Sequence, residues 1–291
     1  MGIVRLFERL KVGRRLRRSG IEALLRLEEM TTLRTLTQWR DSSLGQNPLL
    51  TYGAKQWSQN DEDGLIAEIV RRIHGQGPGS FVELGVGDGT ENNTLNLLAR
   101  GWCGAWLGGD PLRLRADGTS LLFKQCWIDR DNVSALVHGQ LISLGVEQPT
   151  LLSTDLDGND WHICHALLTS GLRPLVWVVE YNACFDVDTH WVMPYDARHH
   201  WKGDDHFGAS LRAFVDLLAP AGYRLVCCNL TGTNAFFVLS EHISAFPEVP
   251  ERWQSLFMPS RYLNYPRIGH PKSLAVMQSL LGPIRSPKSP E

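Results

Sequence analysis

The sequence predicts an α/β fold in which a seven-stranded, mostly parallel sheet is covered by helices and ends in an antiparallel hairpin. Three observations predict it. Short apolar runs alternate with segments of helical periodicity from about residue 60 to residue 240, and this alternation is typical of a parallel sheet with helices on both faces. The first run ends in a turn with three alternate glycines. The last two runs are joined only by residues 229–234, a connection short enough for a hairpin.

The individual elements follow in order from the same alternation. A helix is predicted to begin after the capping side chains of 60–63 and to stop at the glycines and proline of 75–79. Buried strands are predicted at 81–84, 105–107, 121–128, 151–155, 175–180, 223–228 and 235–239. Four of the connections contain helical periodicity, and their helices are predicted to begin at about residues 91, 131, 159 and 209.

Two segments flank this sheet domain, which is predicted to span 58–240. Residues 1–57 form a helical extension, and residues 241–291 form an appendage that ends in a flexible tail rich in Pro, Ser and Lys. Near the N-terminus, basic residues interleave with Ile3, Leu6, Phe7 and Leu10 at helical spacing; they are Arg5, Arg9, Lys11, Arg14, Arg15, Arg17 and Arg18. This basic amphipathic helix predicts either a packing or dimer arm, or a contact with a partner protein or an anionic membrane surface.

The overall composition excludes several classes of protein. With 43% hydrophobic and 21% charged residues among 291, the chain can bury a core, which excludes wholesale disorder. Its net charge of −2 argues against nucleic acid as a partner. The six cysteines form no C-x-x-C pair for zinc or thiol exchange. No apolar run is long enough to cross a bilayer and no secretory signal is recognisable, which predicts a cytoplasmic protein, with peripheral attachment to the inner face of the membrane as an option for its N-terminal helix.

The sharpest local signal is the turn that follows the first predicted strand. Glu83 ends this strand, and Gly85, Gly87 and Gly89 lead into the next helix. Glycines allow a ligand to lie close to the backbone, and a helix N-terminus offers free N–H groups, so a nucleotide-like ligand is expected here. A dinucleotide fingerprint needs a glycine where this chain has Thr90. Because a carboxylate repels a diphosphate but binds an amino group, Glu83 favours S-adenosylmethionine.

Acids at the ends of the next two strands are further candidates for the cofactor site. Asp110 follows the second strand, 27 residues after Glu83, and is predicted to accept hydrogen bonds from the ribose hydroxyls. The alternative is a solvated turn residue. Asp129 follows the third strand, where it could flank the adenine or cap the next helix.

A second group of acids follows the fourth and fifth strands. Asp155 and Asp157 come after one, and Glu180 ends the other. The carboxyl ends of adjacent parallel strands lie at the same edge of a sheet, so these oxygen ligands could hold Mg²⁺, which would orient a sugar diol and lower the pKa of its hydroxyl. The alternative is that Asp157, Asn159 and Asp160 only form a turn and a helix cap.

The connection after the fifth strand, 183–207, is long enough to suggest a function. It contains aromatic residues that can stack on sugars and several histidines, of which His206 is the preferred general base because it precedes the return to the sheet. A transition-metal site and a lid without catalytic side chains are the alternatives. Asn229 and Asn234 flank the predicted hairpin turn and could face an acceptor or only shape the turn.

These motifs resemble those of the class I S-adenosylmethionine-dependent methyltransferases. Residues 83–89 look like their first motif, and Asp110 matches their acid after the second strand, over roughly residues 58–240. A closer likeness is to bacterial FkbM-like and sugar O-methyltransferase-like proteins, carried by 58–63, which is similar to their S-Q-x-x-E-D segment, and by 155–160, 180–182 and 207–211. The resemblance implies a Rossmann-like domain. Metal-dependent sugar O-methyltransferases are similar at the two acidic strand ends, but this chain has Glu-Tyr-Asn at 180–182 where they have paired aspartates.

The expected activity is therefore methyl transfer from S-adenosylmethionine to an oxygen acceptor, a sugar or glycan-related molecule, with Mg²⁺ as a candidate second cofactor. Asp155, Glu180 or His206 would activate the acceptor hydroxyl. Two alternatives stay open: a nicotinamide-dependent oxidoreductase on the same kind of sheet, and a non-catalytic scaffold in a glycan-assembly complex. The acceptor and the oligomeric state, including a homo-oligomer, are left open by the sequence.

Overall fold

A computed structural model describes residues 2–117, 119–261 and 273–282, with the backbone alone for 2–19. Its centre is one seven-stranded sheet in the order β3-β2-β1-β4-β5-β7-β6. The strands are β1 (Ser80–Leu84), β2 (Cys103–Gly108), β3 (Leu121–Gln125), β4 (Leu151–Thr154), β5 (Val176–Glu180), β6 (Tyr223–Cys228) and β7 (Asn234–Leu239). The first five strands pair in parallel, whereas β7 is antiparallel to both β5 and β6. The predicted Rossmann-like α/β fold with its C-terminal hairpin is confirmed.

Helices occupy the connections and the two ends of the chain. They are α1 (Gly2–Ser43), α2 (Glu62–Ile73), α3 (Leu95–Ala99), α4 (Val133–Leu144), α5 (Asp160–Thr169), α6 (Leu211–Leu218) and α7 (Leu274–Leu280). Short 3₁₀ helices lie at Pro48–Tyr52, Ser240–Ala245 and Trp253–Leu256. Two predicted boundaries were wrong: the helix expected at about residue 91 begins at Leu95, and the strand expected to reach residue 128 ends at Gln125.

The sheet is buried because helices cover it, which explains why its strands are almost continuous apolar runs. β1 is buried along its whole length, and Trp106 of β2 and Trp177 of β5 are fully buried. Strand order reverses between β1 and β4, since the chain builds outward from β1 in one direction and from β4 in the other. The carboxyl ends of β1 and β4 therefore border the crevice where ligands bind in open α/β sheets.

The acids at the start of α2 do not cap this helix as predicted, because no side-chain capping bond is present at the N-cap residue Asp61. They are buried instead and hold two neighbouring loops. One carboxylate oxygen of Asp63 accepts bonds from the N–H groups of Gln56, Trp57 and Ser58 at 2.8, 2.6 and 2.8 Å. Glu62 accepts bonds from the side-chain amides of the hairpin residues Asn229 and Asn234 at 2.8 and 3.1 Å. These carboxylates join the start of the domain to the β6–β7 hairpin.

Asp61 gives this acidic segment a measurable pH dependence. The side chain is 1% exposed, and its Oδ1 has no hydrogen-bond partner among the described residues. Burial, with the nearby charge of Glu62, raises its pKa to about 7. An acid with a raised pKa stabilises the fold while protonated and loses that contribution as pH rises. We expect the free energy of unfolding to fall by up to about 4 kcal/mol between pH 4 and pH 7 from this group.

Asp61→Asn should remove that part of the pH slope, because asparagine does not titrate. Urea unfolding at several pH values measures it, with the exposed Asp41→Asn as the matched control. If both variants keep the wild-type slope, Asp61 does not titrate in the way its burial implies.

The two flanking segments pack on the sheet domain and also contact each other. The C-terminal turns of α1 pack through the buried Leu36, and Arg261 stacks on Trp39 at 4.8 Å from the ring centroid. Residues 241–261 are well packed, with Phe246 and Leu256 buried. The predicted flexible tail lies in 283–291, outside the described residues. No helix among the described residues is long and apolar enough to cross a membrane.

Candidate functional site

A cavity of about 920 Å³ opens at the carboxyl ends of β1, β4 and β5. It runs from the glycine turn after β1 to the acids after β4 and β5, and residues of the long segment 183–207 form its outer wall. Most of the residues that line it have polar side chains; the lining consists of Gln59, Asn60, Glu83, Gly85, Val86, Gly87, Asp88, Thr90, Glu91, Asn92, Asn93, Asp155, Asp157, Glu180, Asn182, Cys184, Trp201, Gly203, Asp204, Asp205, Phe207, Thr233 and Asn234. A volume of this size accommodates a cofactor or drug-sized molecule.

The glycine turn needs glycine for two physical reasons. Gly85 has φ +85°, a conformation that side-chain-bearing residues rarely adopt. A Cβ atom at this position would lie 1.5 Å from the carbonyl oxygen of Asp155, so the turn packs directly on the chain that leaves β4. Gly85 and Gly87 line the cavity, whereas Gly89 is buried against Trp106 and Leu112. A ligand in the cavity can therefore approach the backbone closely at Gly85 and Gly87.

Glu83 lies at the base of this turn and has backbone partners. Its carboxylate accepts bonds from the N–H groups of Asn93 and Thr94 at 2.8 and 3.2 Å, and from the Thr94 hydroxyl. Burial raises the pKa of Glu83. These bonds order 93–94 before α3, which accounts for the late start of that helix. Glu83 also lines the cavity, and its contact with the amino group of a cofactor stays a prediction.

Asp110 and Asp129, the other two predicted cofactor residues, are outside the cavity lining. Asp110 is exposed just beyond the end of β2. The Asp129 carboxylate accepts bonds from the N–H groups of Asp131 and Asn132 at 2.9 and 2.8 Å, immediately before α4. Asp129 thus takes the capping role that was its alternative. A ribose contact of Asp110 would require the cofactor to extend past the glycine turn toward β2.

The structure brings together the three predicted metal ligands. Asp155, Asp157 and Glu180 each offer a carboxylate oxygen, and these oxygens all lie within 4.8 Å of one another. Burial and mutual repulsion raise the pKa values of Asp155 and Glu180 well above their ordinary range, and burial raises that of Asp157. Because Asp155 and Glu180 lie close together and their charges repel, one of them is expected to hold a proton when no cation is bound.

The cluster fits a divalent cation on its own chemistry. Oε2 of Glu180 is buried and has no hydrogen-bond partner among the described residues. Carboxylate oxygens are the ligands that Mg²⁺, Mn²⁺ and Ca²⁺ prefer, and a bound cation would relieve the repulsion among three crowded acids. The predicted ligand set is therefore assembled by the fold.

The acids in the turn between β4 and α5 differ in their contacts. Asp160 shapes the turn, because its carboxylate accepts bonds from the N–H groups of Leu156 and Gly158 at 2.7 and 3.0 Å. Burial raises its pKa to about 6. Asp157, at φ +54°, is the one non-glycine residue with positive φ in the described chain. Such a conformation costs free energy and is often found at functional sites. Asp160 is thus an acid that shapes the turn, and the role of Asp157 as a ligand stays a prediction.

The long segment 183–207 is fastened over the cavity at several points. The side chain of Asn159 exchanges bonds with the backbone of Asp196, at 2.7 Å to its carbonyl and 3.3 Å from its N–H. The Asn182 amide donates to the carbonyl groups of Asp205 and Phe207 at 2.8 and 3.0 Å. Trp201 lines the cavity and is 50% exposed. An aromatic face is therefore available at the cavity mouth.

The histidines of this segment differ in their distance from the acids. His206, the preferred general base, is exposed and is not among the lining residues, but its ring centroid lies 5.8 Å from that of His199. His199 lies next to the acids, since a Cβ atom on Gly158 would lie 2.3 Å from its ring, and its proximity acts to lower the pKa of Asp157. Nε2 of His199 is buried without a hydrogen-bond partner among the described residues. No local signal distinguished His199 from the other histidines of the segment, because its position depends on the fold of 183–207.

The charge of the cavity is strongly one-sided. Its described lining contains eight carboxylates and no lysine, arginine or histidine; the acids are Glu83, Asp88, Glu91, Asp155, Asp157, Glu180, Asp204 and Asp205. A ligand rich in phosphate would be repelled here unless several cations accompanied it. The cavity therefore favours cationic ligands and neutral, hydroxyl-rich ones.

Comparison with known proteins yields only weak structural likenesses. No protein-family model and no curated protein matches the sequence. An O-methyltransferase family protein from Burkholderia thailandensis aligns at 10% identity and a TM-score of 0.36, over 60% of this chain and 55% of its own. A precorrin-6y C5,15-methyltransferase from Geobacter metallireducens aligns at 11% identity and a TM-score of 0.34, over 64% and 92%. The MycE methyltransferase of the mycinamycin pathway, solved with Mg, SAH and mycinamycin VI, aligns at 12% and 0.31, over 60% and 45%.

These structural neighbours are methyltransferases, and two of the three are aligned over only about half of their own length. TM-scores of 0.31 to 0.36 are too low to transfer an activity. The function must be inferred from the residues of the cavity itself.

Proposed function

We propose that this protein is an S-adenosylmethionine-dependent methyltransferase that methylates a hydroxyl group of a sugar or a related polyol, assisted by a divalent cation such as Mg²⁺. One observation carries the proposal. The cavity connects a glycine turn to a cluster of three acids, and its described lining has eight carboxylates and no basic side chain. S-adenosylmethionine suits such a cavity because it carries a sulfonium and an ammonium group and has no phosphate. The diphosphate of a nicotinamide cofactor does not suit it.

The acid cluster would hold the cation. Asp155, Asp157 and Glu180 are the proposed ligands, and Glu180 brings an oxygen that lacks any other partner in the described chain. A bound divalent cation would orient two hydroxyls of the acceptor and lower the pKa of the one to be methylated.

Methyl transfer is an in-line displacement. The bond from the methyl carbon to the sulfonium sulfur breaks as the bond to the acceptor oxygen forms, which leaves S-adenosylhomocysteine and the methyl ether. The hydroxyl proton passes to an oxygen of Asp155 or Glu180 that does not ligate the cation. Alignment of the two reactants can supply about 7–11 kcal/mol, and a general base typically adds about 100- to 10,000-fold.

Unsatisfied atoms in the lining support a hydroxyl-rich acceptor. Oδ1 of Asn92 and Oδ1 of Asn234 are buried and lack a donor among the described residues. Both atoms are hydrogen-bond acceptors, so a ligand that satisfies them must bring O–H or N–H groups. Trp201 offers an aromatic face against which a sugar ring can stack. A neutral or amino-bearing sugar meets these requirements better than a phosphorylated one.

The cofactor assignment is tested by calorimetric titration with S-adenosylmethionine, S-adenosylhomocysteine and NAD, each with and without Mg²⁺. We expect binding of the first two, and no measurable binding of NAD, because the acidic lining repels its diphosphate. Asp186→Asn, which alters an exposed acid outside the lining, is the control for nonspecific charge effects. Selective binding of NAD would favour the oxidoreductase, and binding of none of the three would favour a scaffold.

A further inference from the structure

Helix α1 leaves a row of apolar side chains without a covering surface. The helix runs from Gly2 to Ser43, and its contacts with the domain are made by its C-terminal turns, where Leu36 is buried. Residues 20–31 are exposed throughout. Five of them are large and apolar, with 52–67% of their surface exposed: Ile21, Leu24, Leu25, Leu27 and Met30. An isolated helix gains little stability in water, so this exposed stretch is expected to bind another surface.

The first half of the same helix has a strong local excess of positive charge. Between residues 5 and 18 there are seven basic residues and one acid, a net charge of +6, whereas the whole chain has a net charge of −2. The remainder of the protein is therefore acidic. This segregation of charge indicates that the partner of α1 is an anionic surface and not the acidic body of the protein.

The spacing of apolar and basic residues along α1 distinguishes between the possible binding partners of this helix. Positions 3, 7, 10, 14, 17, 21 and 24 follow the 4–3 spacing of one helix face and hold Ile, Phe, Leu, Arg, Arg, Ile and Leu. In a dimer of this helix, Arg14 and Arg17 would fall in two successive core layers and repel their counterparts. At a bilayer surface the same two residues can extend to lipid phosphates while the aliphatic residues enter the acyl boundary. Nucleic acid would leave the aliphatic residues exposed.

We propose that α1 is a membrane-binding helix that lies in the interface of an anionic bilayer and attaches the sheet domain to it. Apolar burial by Ile21, Leu24 and Leu25 and attraction of the 5–18 segment to anionic headgroups act together, as peripheral attachment requires. This inference does not depend on the methyltransferase activity.

Vesicle flotation of the full chain tests the proposal. We expect binding to vesicles of equimolar phosphatidylcholine and phosphatidylglycerol, weakening as salt is raised, and little binding to phosphatidylcholine alone. Replacing Arg14, Arg15, Arg17 and Arg18 with glutamine should weaken binding on the order of several hundredfold, since each basic residue contributes about a fivefold factor. The triple variant Ile21→Gln, Leu24→Gln and Leu25→Gln should weaken it by at least about tenfold.

The matched control is Ile142→Gln, which removes a 79% exposed aliphatic side chain from α4 and should leave vesicle binding unchanged. Unaltered urea unfolding shows that the variants fold. The proposal is overturned if the protein fails to bind the anionic vesicles, or binds both kinds of vesicle equally. It is also overturned if light scattering shows a dimer that the triple variant abolishes without a change in vesicle binding, or if a short RNA duplex competes the protein off the vesicles completely.

Discussion

Asp155→Asn and Glu180→Gln are each expected to weaken Mn²⁺ binding by at least about 100-fold, because loss of a direct ligand should exceed the 10- to 100-fold cost typical of an outer contact. Each variant should also make the cation-free protein more stable at pH 8 by about 1–2 kcal/mol. The gain arises because burial and like charges raise the pKa of both groups, so their ionised forms destabilise the folded state. Electron paramagnetic resonance of free Mn²⁺ measures binding, and urea unfolding in excess chelator measures stability.

The sign of the stability change is fixed by linkage. A raised pKa means that stability is lost as pH rises, so the difference between variant and wild type should be present at pH 8 and should vanish near pH 3, where the acid is largely protonated in both folded and unfolded chains. Asp188→Asn, an exposed acid of 183–207 outside the lining, is the control and should change neither property. Unchanged Mn²⁺ affinity in both cluster variants would show that these acids do not form the cation site.

Gly85→Ala is the second change with a large expected effect. The residue has φ +85°, and an added Cβ atom would lie 1.5 Å from the Asp155 carbonyl oxygen, which is backbone and cannot rotate away. Backbone strain and overpacking together should lower the free energy of unfolding by about 3–5 kcal/mol. Because the turn must separate from the end of β4, affinity for S-adenosylhomocysteine should also be lost. Urea unfolding and calorimetry measure the two effects.

A second glycine provides the matched control for this variant. Gly139 lies on the exposed side of α4, and nothing is within 4 Å of the position its Cβ would occupy. Gly139→Ala should raise the free energy of unfolding by about 0.5–1 kcal/mol through helix propensity and should not alter cofactor affinity. Native stability together with native cofactor affinity in Gly85→Ala would contradict the packing of the glycine turn on β4.

The fold and the acid cluster were predictable because their signals are local or periodic. Each central strand is a short apolar run, and each such run in a parallel sheet ends at the same edge. That rule was enough to predict that Asp155, Asp157 and Glu180 would meet, which they do within 4.8 Å. The glycine turn was equally accessible, since positive φ at Gly85 selects a residue without a side chain.

Predictions failed where a side chain binds a distant or irregular segment. The acids at 60–63 have the composition of a helix cap, but Glu62 binds Asn229 and Asn234, more than 160 positions away. The helix predicted at 91 begins late because residues 93 and 94 bind Glu83. Both errors have the same cause. The type of a side chain shows which groups it can hydrogen-bond, but only the folded structure shows which of those groups lie close enough.

The amino-acid sequence alone determined the strands and turns, the cavity edge and the residue types that line it, because apolar periodicity, glycine conformation and strand polarity act over a few neighbouring residues. The folded chain decided which histidine lies beside the acids, placing His199 there and leaving His206 exposed. It also assigned Asp160 to the turn and left Asp157 free for a ligand. The positions of these side chains depend on the hydrogen bonds by which Asn159 and Asn182 hold the segment 183–207. Contacts between residues that are tens of positions apart produce no periodic pattern in the amino-acid sequence.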